Sequence, residues 1–180
     1  MAKLYNQITE PLKAFIEQQK IFFVATADTD GRINLSPKGG DSLRVLDGNR
    51  VIWLNLTGSG NETAAHMRVQ NRITIMFCSF TASPMILRLY GKGAIIHEDS
   101  PAWPELITRF PGSTGARQVF DIAVDLAQTS CGFQVPFYEF KGDRDTLTKW
   151  ADGKGRDGIR QYWREKNARS LDGKPTGIDT

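Results

Sequence analysis

At 180 residues, 40% hydrophobic and 24% charged, the chain can bury one ordinary core and fits a single domain spanning residues 1–180. A formal charge of +3 is too small for a nucleic-acid footprint, and its excess gathers from Lys141 onward, where ten Lys and Arg face seven Asp and Glu, as in a solvated tail. Met1–Gln7 lacks the apolar segment of a signal peptide and no later run approaches a membrane span, so the sequence reads as cytoplasmic; Cys78 and Cys131 lie too far apart for Cys-x-x-Cys and read as buried free thiols.

In chain order, Leu4, Ile8, Leu12, Phe15 and Ile16 recur at helical spacing, and Thr9-Glu10-Pro11 suits a helix start. Ile21–Ala27 is aromatic and β-branched. Asp28-Thr29-Asp30-Gly31 then supplies a turn, and Ile33–Ser36 resumes the alternation, so a hairpin is predicted that ends in a loop at Ser36-Pro37-Lys38-Gly39-Gly40. A second hairpin follows, Leu43–Leu46 and Val51–Leu56 around Asp47-Gly48-Asn49, since Asp-Gly and Asn adopt positive φ at little cost. Asn61 reads as the cap of a helix reaching Val69, and Ile73–Cys78 and Ile86–His97 read as strands, the latter bent by its glycines.

After Ser100-Pro101 the period changes. Trp103, Leu106, Ile107 and Phe110 suit one helix and Val119, Ile122, Ala123 and Leu126 another, so a helical insert over about 101–128 is expected. Cys131–Phe140 reads as a further strand, and its Pro136 implies an edge or a bulge. Gly153–Gly158 reads as a flexible loop and Ile159–Asn167 as a helix before an irregular end. The barrel core is placed at about 20–100 and 130–142, and a C-terminal helix and tail at 143–180.

Two segments carry ligand chemistry. Gly58-Ser59-Gly60-Asn61 offers backbone amides and a small hydroxyl at the start of a helix, where first-turn N–H groups lack partners and can face an anion. The bland alternative is a turn meeting a helix. Lys38 sits between Pro37 and two glycines, stiff on one side and open to close backbone approach on the other; alone it is equally an exposed turn lysine. Two anion-suited loops flanking one hairpin favour a phosphate-bearing cofactor. Neither Gly-x-x-x-x-Gly-Lys-Ser/Thr nor a Gly-x-Gly-x-x-Gly unit is present, which removes the usual nucleotide folds. His66 and His97 read as surface residues at strand ends, with no metal site expected. Arg88, inside an apolar strand, needs a carboxylate, carbonyl or phosphate.

The ordering Phe23-Val24-Ala25-Thr26-Ala27, Gly31-Arg32-Ile33, Ser36-Pro37-Lys38-Gly39, Gly60-Asn61-Glu62-Thr63, Asn71-Arg72-Ile73 and Leu87–Ala94 resembles the pyridoxamine 5'-phosphate oxidase-related, FMN-binding split-barrel family. The resemblance implies a mainly β (α+β) fold, an antiparallel six-stranded split barrel with peripheral helices. It also implies a homodimer with FMN between the subunits. By position, Ser36, Pro37, Lys38 and Gly39 would line the flavin, with Lys38 at its phosphate. Asn55 would lie beside the ring, and Ser59, Asn61 and Thr63 would fall at the phosphate loop. Many relatives carry Arg and Lys where this chain has Glu62 and Thr63, and the C-terminal pattern of the vitamin B6 oxidases is not evident. The implied activity is an FMN-dependent oxidoreductase acting on a small molecule, with NAD(P)H as a candidate donor; the electron chemistry would belong to the flavin, so no catalytic residue is assigned. A tail wall at Trp163 is a further expectation. The rival readings are a non-catalytic flavin-binding or sensing module and a haem or deazaflavin binder on the same barrel.

Overall fold

The computed structural model describes residues 2–178. Eight antiparallel strands form one sheet: β1 (Lys3–Tyr5), β2 (Ile21–Thr26), β3 (Asn34–Gly39), β4 (Leu43–Asp47), β5 (Arg50–Leu56), β6 (Arg72–Cys78), β7 (Ile86–Ile96) and β8 (Ala116–Ser130). Their order is β3-β2-β6-β7-β8-β5-β4, with β1 added to β8. The architecture is the antiparallel half-barrel anticipated, with eight strands instead of six. Helices α1 (Glu10–Gln18), α2 (Glu62–Met67), α3 (Trp103–Ile107) and α4 (Thr146–Tyr162) lie around it, and α4 widens into a π-helical turn at Trp163–Asn167.

The inner face of the sheet carries the main core. Trp53 stacks on Phe120 at 4.8 Å between ring centroids and meets Phe22 edge-on at 6.3 Å. Val24, Ile75, Leu87, Leu89 and Ile122 pack around these rings, and α1 closes the cluster with Leu12 and Ile16. Burying such side chains stabilises the fold by about 1.5–3 kcal/mol each. Helix α1 starts after Thr9 as its sequence predicts, with Pro11 in the first turn, where a missing N–H costs nothing.

The helical insert is corrected. Only α3 is helical, and Val119, Ile122, Ala123 and Leu126 belong to β8, which pairs with β5, β7 and β1. The first five residues of β8 are all buried; from Phe120 to Asp125 the buried positions are Phe120, Ile122 and Val124, and after Asp125 they are Ala127 and Thr129. The register against β7 slips there, Tyr90 facing Leu126 while Gly91 faces Val124. One extra residue thus inverts the period-two signal half-way along the strand. Gly91 permits the bulge, because a Cβ there would lie 2.1 Å from the carbonyl oxygen of Ala123.

Residues 131–140 are not a strand. Phe133, Phe137 and Tyr138 are largely exposed, the chain touching the sheet's end through Tyr138 N–H to the Phe80 carbonyl (3.3 Å). Cys131 is exposed, and Cys78 alone is a buried thiol, its pKa raised by burial. Residues 153–158 form part of α4 instead of a flexible loop. Gly155, at φ 67°, joins two helical pieces, and Arg156 anchors the second by donating to the carbonyls of Thr114 (3.0 Å) and Ala116 (3.1 Å) and pairing with Glu98. Among the described residues Arg88 finds a hydroxyl, Ser130 Oγ at 3.3 Å, in place of a charged or carbonyl partner.

The C-terminal helix is docked by one fully buried hydroxyl. Thr57 Oγ1 donates to the Gly115 carbonyl and accepts the indole N–H of Trp163, both at 2.8 Å. Thr57→Val leaves that N–H without an acceptor. It should lower stability by about 1–2 kcal/mol in urea titration with an unchanged m-value.

Candidate functional site

The expected Ser-Pro-Lys loop is an edge strand. β3 pairs on one side with β2 and ends the sheet order, the position where Pro37 sacrifices no ladder bond. Its alternation turns Asn34, Ser36 and Lys38 inward, opposite Thr26, Val24 and Phe22. Asn34 Nδ2 donates to Thr63 Oγ1 at 3.2 Å and Ser36 Oγ donates to Asn34 Oδ1 at 2.9 Å. These bonds join β3 directly to α2, so the two segments singled out in the sequence share one site.

Between them lies a cavity of about 690 Å³. Ser36, Pro37, Lys38, Asn55, Ser59, Asn61 and Thr63 all line it, together with Gly58, Gly60 and Glu62. Gly39 does not; it pairs with Ile21 at the far end of β3 and its carbonyl accepts from Ser42 Oγ (2.9 Å). The sequence reasoning missed Arg117 from β8, and Lys166, Arg169, Ser170 and Leu171 from the C-terminal segment. Trp163 is not a wall of this cavity. It is buried behind it, under the Arg156 guanidinium at 5.0 Å.

Asn61 makes no side-chain cap to α2, which spans only six residues. Its Oδ1 accepts from Asn55 Nδ2 at 3.4 Å, and Asn55 also donates to Gln118 Oε1 at 3.1 Å. Glu62 is the one carboxylate among the described lining residues. It faces the tail and accepts the Leu171 N–H at 3.0 and 3.1 Å, which keeps its charge engaged. His66 is buried against Thr26, Nδ1 to Oγ1 at 3.1 Å, and so is not the surface residue expected. Among the described residues no three metal-ligating side chains cluster.

Positive charge dominates the site. Arg117 is 3% exposed and has no carboxylate partner among the described residues. One Nη donates to the Gly60 carbonyl (3.1 Å) and to Asn167 Oδ1 (2.6 Å), while Nε has no acceptor there. Burial lowers its pKa to about 10. Lys38 Nζ lies 5.1 Å from the Trp53 ring centroid, and burial followed by the Arg117 charge lowers its pKa to about 8. Two like charges held together without an acid leave room for an anion. Asn61 Nδ2, on the cavity lining, is also a buried donor lacking an acceptor among the described residues, so the site is short of oxygen in the sense that a phosphate would satisfy.

The tail is tied over this site. Lys174 pairs with Asp28 (2.6 Å) and Asp30, and Asp172 pairs with Arg32 and accepts its N–H at 2.8 Å. The hydrogen bond from Lys174 lowers the Asp28 pKa, and the same contact, followed by Asp30, raises that of Lys174.

Residues 8–131 match the family model described as pyridoxamine 5'-phosphate oxidase. The chain belongs to the pyridoxamine 5'-phosphate oxidase family. It is 36% identical over 193 aligned positions to an Aspergillus flavus member of this family, ustO, covering 97% of this chain and 78% of that one. Among solved structures, a single-residue variant of HupZ from Group A Streptococcus aligns with a TM-score of 0.55 and 26% identity, over 68% of this chain and 99% of its own. A putative pyridoxamine 5'-phosphate oxidase from Lactobacillus delbrueckii aligns with a TM-score of 0.55 and 18% identity, over 68% and 94%. No described helix of this family member is long and apolar enough to cross a membrane.

Proposed function

We propose that the cavity binds FMN and that the protein is an FMN-dependent oxidoreductase acting on a small organic substrate. The observation that carries this reading is Arg117, buried beside Lys38 with no acid among the described residues to neutralise either. The residues fit the group. Arg117 and Lys38 would hold the phosphate, with Thr63, Ser59 and Asn61 completing its hydrogen bonds, and Ser36, Pro37 and Asn55 would border the ring. When bound, FMN supplies reversible hydride transfer between a substrate and an electron donor such as NAD(P)H. The chain's own work is binding and orientation: β3 and α2 fix opposite walls, and the tail narrows the mouth. The exposed Ile33, Leu35, Phe133 and Phe137 support pairing of two copies around the site.

The test compares ligands that differ only in the phosphate. FMN should bind at least about 100-fold and up to about 10,000-fold more tightly than riboflavin, since two charge-assisted contacts contribute about 1.5–3 kcal/mol each. Equal affinity for the two by calorimetry would sink the phosphate assignment. Mixing the loaded protein with NADPH or NADH then reads turnover directly: bleaching of the flavin band and its return in air support an oxidoreductase, and an inert band leaves a flavin-binding module.

A further inference from the structure

Asn167 closes the π-helical turn after α4, fifty residues from Arg117, and is fully buried. Its side-chain amide has two faces and both are used. Oδ1 accepts from Arg117 Nη1 at 2.6 Å, and Nδ2 donates to the carbonyls of Gly58 (3.1 Å) and Ser59 (3.4 Å). Its backbone carbonyl accepts from Thr176 Oγ1 at 2.6 Å, and Thr176 N–H returns to the Ala168 carbonyl at 3.1 Å. One residue therefore touches the cationic wall of the cavity, the glycine loop on the other wall, and the base of the tail.

A guanidinium that is to receive a phosphate must be held by neutral acceptors, because an acid would occupy the charge the ligand needs. Asn167 meets that requirement. It holds one nitrogen of Arg117 without cancelling its charge, and leaves Nε unpartnered among the described residues. A π-helical turn is uncommon and tends to mark a functional position, because it shifts one side chain out of α-helical register; here the residue at its end is Asn167.

We infer that Asn167 is a positioning residue that aims Arg117 and the Gly58-Ser59 loop at a common anion, and that it couples retention of that anion to closure of the C-terminal segment 168–178. The inference rests on the anion reading of the cavity. Because the amide bridges both walls, an anion drawing on Arg117 and the loop steadies Asn167. Asn167 in turn fixes the segment that carries Arg169, Ser170 and Leu171 to the cavity's mouth.

The experiment is a double-mutant cycle on the full chain with FMN as probe, read by calorimetry and by limited proteolysis within 168–178. Asn167→Ala should weaken FMN binding at least tenfold and abolish the FMN-induced protection of the tail. In an Arg117→Met background the same change should cost several-fold less, because one of the two groups being aimed is gone and only the Gly58-Ser59 loop is left to be displaced. Asn167→Ser, which keeps one small donor and acceptor, should recover part of the affinity and fold where alanine does not. Wild-type affinity in Asn167→Ala, or a loss as large with Arg117→Met as without it, would overturn the positioning role and reduce Asn167 to a structural contact. Failure of the wild-type chain itself to prefer FMN over riboflavin would instead remove the anion reading on which this one stands.

Discussion

Arg117→Met should cost FMN affinity at least about 100-fold while leaving the ligand-free fold no less stable than the wild type. The two halves of that expectation have opposite physical origins. In the complex, Arg117 would supply charge-assisted hydrogen bonds worth about 1.5–3 kcal/mol each, and methionine can form none of them. Without ligand, the guanidinium is a buried charge with only neutral acceptors among the described residues, Gly60 and Asn167. Replacing an uncompensated buried ion by an apolar side chain of similar length is commonly neutral or favourable. The price is an unpaired Asn167 Oδ1, about 1 kcal/mol, which offsets part of the gain. Thermal melts with and without FMN separate the two: the ligand-free midpoint should stay level or rise, and the FMN-induced shift should nearly vanish. A ligand-free midpoint many degrees lower would show that Arg117 serves the fold instead.

How much of this was legible in the sequence follows from the range over which each feature is encoded. The hairpins β2–β3 and β4–β5 are local, and Asp28–Gly31 and Asp47–Asn49 state them in the turns themselves. Lys38, Asn61 and Thr63 were found because the phosphate-suited residue types lie beside those turns. β8 was read as a helix because the extra residue at Asp125 breaks its alternation, leaving Val119, Ile122, Ala123 and Leu126 at a spacing that a helix also satisfies. Losing the strand lost Arg117 with it. The surviving signal was an arginine in the run Ala116-Arg117-Gln118-Val119-Phe120, too apolar for an exposed helix face. Residues 131–140 show the opposite failure: aromatic and β-branched residues imitate a strand, but Phe133 and Phe137 are left largely uncovered by the described residues. Asn167 has no local signature, since its role arises only when the turn after α4 meets β8.

Lys38 should make phosphate binding fall as pH rises through about 8, by roughly 10- to 30-fold between pH 7 and 9.5, with Lys38→Met removing the dependence and binding weakly throughout. The phosphate of FMN is doubly ionised above its second pKa of about 6, so it does not titrate in this window. Lys38 does, because burial and the Arg117 charge lower its pKa to about 8. An anion favours the protonated lysine, so the complex forms with proton uptake above pH 8 and loses that contact as the proton becomes harder to acquire. The ligand-free protein should respond in the other direction. Below pH 8 the lysine is charged in both folded and unfolded chains, and the fold carries the full cost of desolvating it. Between about 8 and the ordinary lysine value of 10.5 the unfolded chain keeps the proton that the folded chain has released, so this group's contribution to stability rises with pH. Arg117, with a pKa near 10, begins to act in the same sense only at the top of that range. Opposite slopes for ligand-free stability and for FMN affinity, both flattened by Lys38→Met, identify one buried cation as the cause. Parallel slopes, or a dependence that survives the substitution, would assign the titration to another group.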